Sequence, residues 1–196
     1  MSKLFVDEIV HQSSQGSGTI TLGASGETIS VPSGATLDLS SATQTGVGGT
    51  NTPNFLVAKS GNQTISSATV TKVSFGTEQY DGDNVFASDK FTVPSGQGGK
   101  YHLFGNVQLQ SDGTNKISDC TVYFYKNGSE ITSQPTRISK VFDVNDVTRQ
   151  MLPFSVAINL SASDFIEIYT AATHSTGGSI FVREEGTYFG AYKIIE

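Results

Sequence analysis

Tryptophan is absent from this chain and cysteine occurs once in 196 residues. One thiol excludes an intramolecular disulfide framework. Cys120, set within Cys120-Thr-Val-Tyr-Phe-Tyr125, reads as a small buried hydrophobe rather than a redox centre. Charge is scarce as well: charged residues make up 15%, with 12 Lys and Arg against 18 Asp and Glu and a net charge of −6. No two basic residues adjoin, so no basic patch is available for phosphates, and a nucleic-acid or anionic-membrane partner is excluded. Long hydrophobic runs are missing too. No stretch approaches the ~18 apolar residues of a membrane span, so no membrane insertion is expected. Asp7 and Glu8 interrupt the first ten residues before an apolar core forms, so no secretory leader is expected.

Catalytic groups are equally sparse. There are three histidines, His11, His102 and His174, and none lies in a nucleophile elbow or a Gly-rich oxyanion context. An enzyme is not expected, and no cofactor is required. Calcium is the one open possibility. Asp81-Gly-Asp83-Asn84 groups hard oxygens in a turn, as does Asp143-Val-Asn-Asp146, and Asp81 with Asp83 is the candidate metal pair. The same residue types are ordinary turn formers, and that reading stands beside the metal one.

What is abundant is Gly, at 21 residues, with many Ser and Thr, 12 Phe and 7 Tyr. Strand and turn formers outweigh helix formers, and the chain reads as all-β. Its organising stretch is Phe91 to Leu109. Pro94 stops a short apolar strand, a Ser/Gly turn follows, and a long alternating strand begins. Tyr101, Leu103, Val107 and Leu109 point to one side with Gly105 between them; His102, Asn106, Gln108 and Gln110 point to the other. Further strands are expected at Asn54–Lys59, Ala68–Phe75, Met151–Leu160, Phe165–Ala172, Ser179–Val182 and Tyr188–Ile195. Asn127-Gly128 between alternating runs signals a type I′ hairpin. Strands this many, with turns every ~8 to 12 residues, make an antiparallel sandwich, and a jelly roll is the expected form.

The N-terminal part has a different pattern. Leu4, Phe5, Val6, Ile9 and Val10 form an apolar cluster isolated by the polar run Gln12 to Gly18. Such a cluster must be buried against something, either a partner protein or its own oligomer. Then Thr19-Ile20-Thr21-Leu22, Thr28-Ile29-Ser30-Val31 and Thr36-Leu37-Asp38-Leu39 recur. Each sets two apolar residues two apart, and units so short are stable only when wound with copies from other chains. The expected organisation is 1–17 as docking peptide and linker, 18–42 as a β stalk with core Ile20, Leu22, Ile29, Val31, Leu37 and Leu39, 43–53 as linker, and 54–196 as head.

Phe91-x-x-Pro94 followed by Gly99-x-Tyr101 at the start of a long strand resembles the globular head shared by complement component-1q and tumour necrosis factor. The run Tyr188-Phe189-Gly190-Ala191-Tyr192 resembles that family's last strand. The resemblance covers about residues 53 to 196 and implies a trimeric ten-strand jelly roll, with Tyr101, Phe104, Phe189 and Tyr192 shared between the core and a threefold interface. The 18–42 segment resembles stalk segments of tailed-bacteriophage fibres. Together the two resemblances imply a homotrimeric, non-enzymatic virion appendage, held to another virion protein by its N-terminus and displaying its heads at the virion surface for host attachment. Lysis would release such a protein without a leader. Two alternatives keep the head: a capsid decoration or head fibre, and a soluble ligand or bacterial surface adhesin. The polar loops 111–116 and 173–178 are candidate host contacts, or plain sandwich surface.

Overall fold

A computed structural model describes residues 28–36, 52–132 and 136–194. The chain divides into two compact units, Met1–Val47 and Gly48–Glu196. In the first unit the described residues include a turn: the Ala35 N–H donates to the Pro32 carbonyl at 3.1 Å, and Gly34 takes φ 86°. Ile29 and Val31 are exposed at 59% and 45%. A short apolar alternation has no ladder to join by itself. The apolar cluster at Leu4, Phe5, Val6, Ile9 and Val10 and the stalk positions Ile20, Leu22, Leu37 and Leu39 lie outside the described residues, as does His11.

The second unit is all antiparallel β. Its strands are β1 (Asn54–Ala58), β2 (Gln63–Ile65), β3 (Thr71–Lys72), β4 (Thr77–Asp81), β5 (Phe86–Ala87), β6 (Lys90–Thr92) and β7 (Gly99–Ser111). These are followed by β8 (Ile117–Lys126), β9 (Ser129–Glu130), β10 (Arg137–Val141), β11 (Arg149–Leu160), β12 (Phe165–His174), β13 (Ile180–Val182) and β14 (Tyr188–Lys193). The long strand expected after Pro94 is β7, and it centres the first sheet. β11 runs along one edge of it from Gly99↔Leu160 to Gln110↔Arg149. β14 and β13 share the other edge end to end, with β1 and then β4 beyond β14, and β2 beyond β13. The second sheet runs β10-β8-β12, with β9 folded back on β8 and the short β6 and β3 on the far edge of β12.

The alternation in β7 sets the layers. Tyr101, Leu103, Val107 and Leu109 are fully buried, and with Phe55, Phe154 and Phe189 they meet Val122, Phe124, Ile166 and Ile168 of the second sheet. The rings of Phe55, Phe91 and Phe189 pack at centroid distances near 5 Å. Each buried ring contributes roughly 1.5–3 kcal/mol of transfer free energy. Phe55, Phe91, Tyr101, Phe124, Phe154 and Phe189 are the aromatic residues buried in this core. Asn127 and Gly128 both have positive φ, 53° and 78°, and join Lys126 to Ser129 as the expected hairpin. The strand expected over Ala68–Phe75 shrinks to β3, because Ala68 takes φ 56° in a turn closed by Thr69 N–H to the Ser66 carbonyl.

Candidate interaction surface

Residues that alternate with the core positions of β7 face outward from the first sheet. There His102 packs edge-on against Tyr192 at 5.1 Å between centroids and stacks with Phe104 at 5.8 Å. Phe104 lies opposite Gly190 in the ladder, whose missing side chain leaves room for the ring. His102 Nε2 is 2.7 Å from Ser155 Oγ on β11. Register extends the patch outward: Leu56 lies beside Gly190, Tyr80 beside Leu56, and Tyr188 and Pro153 flank Asn106. Met151, Tyr188 and Tyr80 are exposed at 52%, 39% and 47%. One sheet face thus carries a continuous aromatic and apolar patch.

Its floor is polar. Asn106 Nδ2 donates to the Gly186 carbonyl, and the Gln108 backbone N–H donates to Thr187 Oγ1 at 3.0 Å. Among the described residues, His102 Nδ1, Asn106 Oδ1 and Gln108 Nε2 are buried polar atoms without a protein partner.

The four residues that the resemblance assigned to an interface fall into two pairs. Phe104 and Tyr192 are on this outer face. Tyr101 and Phe189 are turned inward and 0% exposed, and Tyr101 further anchors itself by donating its hydroxyl to the Gln97 carbonyl at 2.6 Å. Within one chain their side chains offer nothing to a second copy.

Asp81 and Asp83 do not gather a ligand set. Asp81 Oδ1 accepts from Val85 N–H and Oδ2 from Phe86 N–H, both at 2.8 Å, so the carboxylate is engaged in holding its own turn. Among the described residues no group of three or more His, Cys, Asp and Glu comes together.

The two polar loops singled out by composition are joined. His174 Nε2 meets Asp112 Oδ1 at 2.8 Å, while Nδ1 accepts backbone N–H bonds from Thr176 at 3.2 Å and Gly178 at 2.9 Å. That pattern fixes the imidazole as the Nε2–H tautomer, with both nitrogens occupied. The pair is a loop clasp and offers no free base. Sequence reading also missed Lys59, which is 7% exposed. Its ammonium donates to Gln63 Oε1, the Ser74 carbonyl and Ser74 Oγ. Burial lowers its pKa, and Asp89 partly restores it. With all three protons used, Lys59 ties β1 to the segment after β3.

No family model matches the chain, and no curated protein matches it. Solved structures do. The globular domain of zebrafish complement 1qA protein superposes with a TM-score of 0.50 at 11% identity, covering 74% of this chain and 98% of that one. The Eiger TNF from S. frugiperda gives 0.51 at 11% identity, covering 73% and 92%. The second unit therefore has the jelly-roll fold of complement-1q and TNF domains.

Proposed function

We propose that this chain is a non-enzymatic homotrimer at the surface of a tailed-phage virion, displaying its jelly-roll head for adhesion to the host. The observation that carries the reading is the outward patch of His102, Phe104 and Tyr192 with exposed Met151, Tyr188 and Tyr80. A contiguous apolar patch on one sheet face marks an interaction site, and cyclic closure of three copies covers every such patch. This is the threefold arrangement that the family resemblance implies.

In this account Leu4, Phe5, Val6, Ile9 and Val10 grip another virion protein. Residues 18–42 wind with the same segment of two other copies, which would cover Ile29 and Val31, now 59% and 45% exposed. Three heads on one stem then bind weakly and repeatedly, and effective concentration supplies the adhesion. The shortness of the 18–42 segment favours one variant of the same architecture, a capsid decoration that grips the shell.

The test is particle association. Virions grown from the encoding phage are purified on a density gradient, from wild type and from a mutant lacking residues 1–11. The full chain is expected in the particle band and the truncated chain, still trimeric, in the soluble fraction. A full chain absent from purified particles contradicts the virion assignment.

A further inference from the structure

We infer that the outward face of the second sheet is a binding platform for a neutral glycan, built on Tyr123, Tyr125 and Tyr169. The inference rests on the adhesion reading above and gives it a ligand class.

Register brings the three rings together: Tyr123 lies directly opposite Tyr169, and Tyr125 stacks on Tyr169 with centroids 4.0 Å apart and planes inclined 28°. On the other side of β8, Arg137 lies opposite Tyr123 with its guanidinium 5.0 Å from that ring's centre. The core does not require these tyrosines, because the inward positions of the same strands are filled by Val122, Phe124, Ile166 and Ile168. All three are partly exposed. Among the described residues none of their hydroxyls takes a hydrogen-bond partner. Burial first, then Glu130 and the neighbouring Tyr169 and Tyr123, raise the Tyr125 phenol above its ordinary value.

Charge selects the ligand. The ions bordering the rings cancel in pairs: Arg137 makes two bonds to Glu130 Oε1 at 3.1 and 2.7 Å, and Lys72 meets Glu167 at 2.7 Å. A face neutral in this way complements an uncharged partner and offers no surplus cation to a phosphate or an acidic polymer. Beyond the rings, the Thr121 and Ser139 hydroxyls pair at 2.9 Å. From Thr121 to Tyr125 the strip is about 13 Å long on a flat sheet, the length of a short oligosaccharide. Pyranose rings present C–H faces to aromatic carbon and hydroxyls to everything around it. Stacked phenols edged by hydroxyls and paired charges meet both needs, whereas a proline-rich peptide would require a groove between aromatic ridges.

The test is native-gel retardation of the full chain in dextran, laminarin, yeast mannan and galactomannan, together with saturation-transfer NMR on the unmodified chain with the fragment of whichever polymer retards it. Retardation by at least one polymer, with saturation passing to sugar C–H protons, is expected. Tyr125→Ala and Tyr169→Ala should each weaken it at least tenfold, while Tyr169→Phe, which keeps the ring, should stay within about threefold of wild type. Where an alanine variant fails to fold, Tyr125→Leu or Tyr169→Leu, which removes the ring and keeps an apolar side chain, replaces it in the same measurement. No retardation by any polymer, retardation unchanged in the folded alanine variants, or capture of a proline-rich peptide in place of sugar would overturn the platform. A trimer that binds no sugar would overturn this site alone; a monomer that binds sugar would overturn the trimer and leave the site standing.

Discussion

Phe104 lies across Gly190 of the neighbouring strand, with its Cζ only 2.6 Å from where a β-carbon on residue 190 would sit. The two residues are directly opposed in the β7–β14 ladder. On the other face of β7, Phe154 does the same to Gly105, its partner in the β7–β11 ladder. Each glycine gives up side-chain packing so that an aromatic ring can lie flat against backbone, one inside the sandwich and one on the face assigned to the trimer.

Replacing Gly190 by alanine should therefore push the Phe104 ring off its seat. Overpacking of this kind costs about 1–3 kcal/mol, read as a lower urea midpoint, and the displaced ring should weaken self-association as well. A variant with wild-type midpoint and assembly would show that the ring has free space to move and that the seat is unimportant.

The loop clasp predicts a specific response to acid. The Ser179 backbone N–H, followed by the His174 hydrogen bond, holds the Asp112 carboxyl below the usual carboxylate range. A depressed carboxyl stabilises the fold above its unfolded value, and that contribution is lost as pH falls through the lowered folded value. Asp112→Asn should lower the neutral plateau and flatten the acid side of a stability–pH profile, so that variant and wild type converge at low pH. An acid limb identical to wild type would remove Asp112 from the account.

Cys120 is fully buried, and burial first, then Asp119, pushes its thiol up to about 12. It should not react with a disulfide reagent in the native protein near neutral pH. Labelling should appear only in denaturant, tracking the unfolding transition. Rapid labelling without denaturant would show that β8 opens locally.

Legibility in the sequence followed exposure and phase. β7 was readable because its faces differ, Tyr101, Leu103, Val107 and Leu109 against His102, Asn106, Gln108 and Gln110, and because Asn127-Gly128 has one favoured turn. The edge strands β4, Thr-Glu-Gln-Tyr-Asp, and β10, Arg-Ile-Ser-Lys-Val, were not, since both are mostly solvent-facing and an edge needs no apolar face. Phe104 and Tyr192 were found on the outer face, but Tyr101 and Phe189 were grouped with them by motif. One residue of phase decides which side of a sheet a ring occupies, and an aromatic motif does not state that phase. The clasp of His174 to Asp112, 62 residues apart, leaves no local pattern to read. Tyr123, Tyr125 and Tyr169 were visible as strand residues, yet only the register of β8 against β12 brings them together.

The central claim is that the outer face of the first sheet joins three copies. Light scattering coupled to gel filtration on the full chain tests it most directly, with and without chelator. The account expects a mass three times 20.8 kDa, unchanged by chelator because Asp81 is engaged with its own turn. A mass of one chain, with the His102, Phe104 and Tyr192 patch left in water, would contradict it.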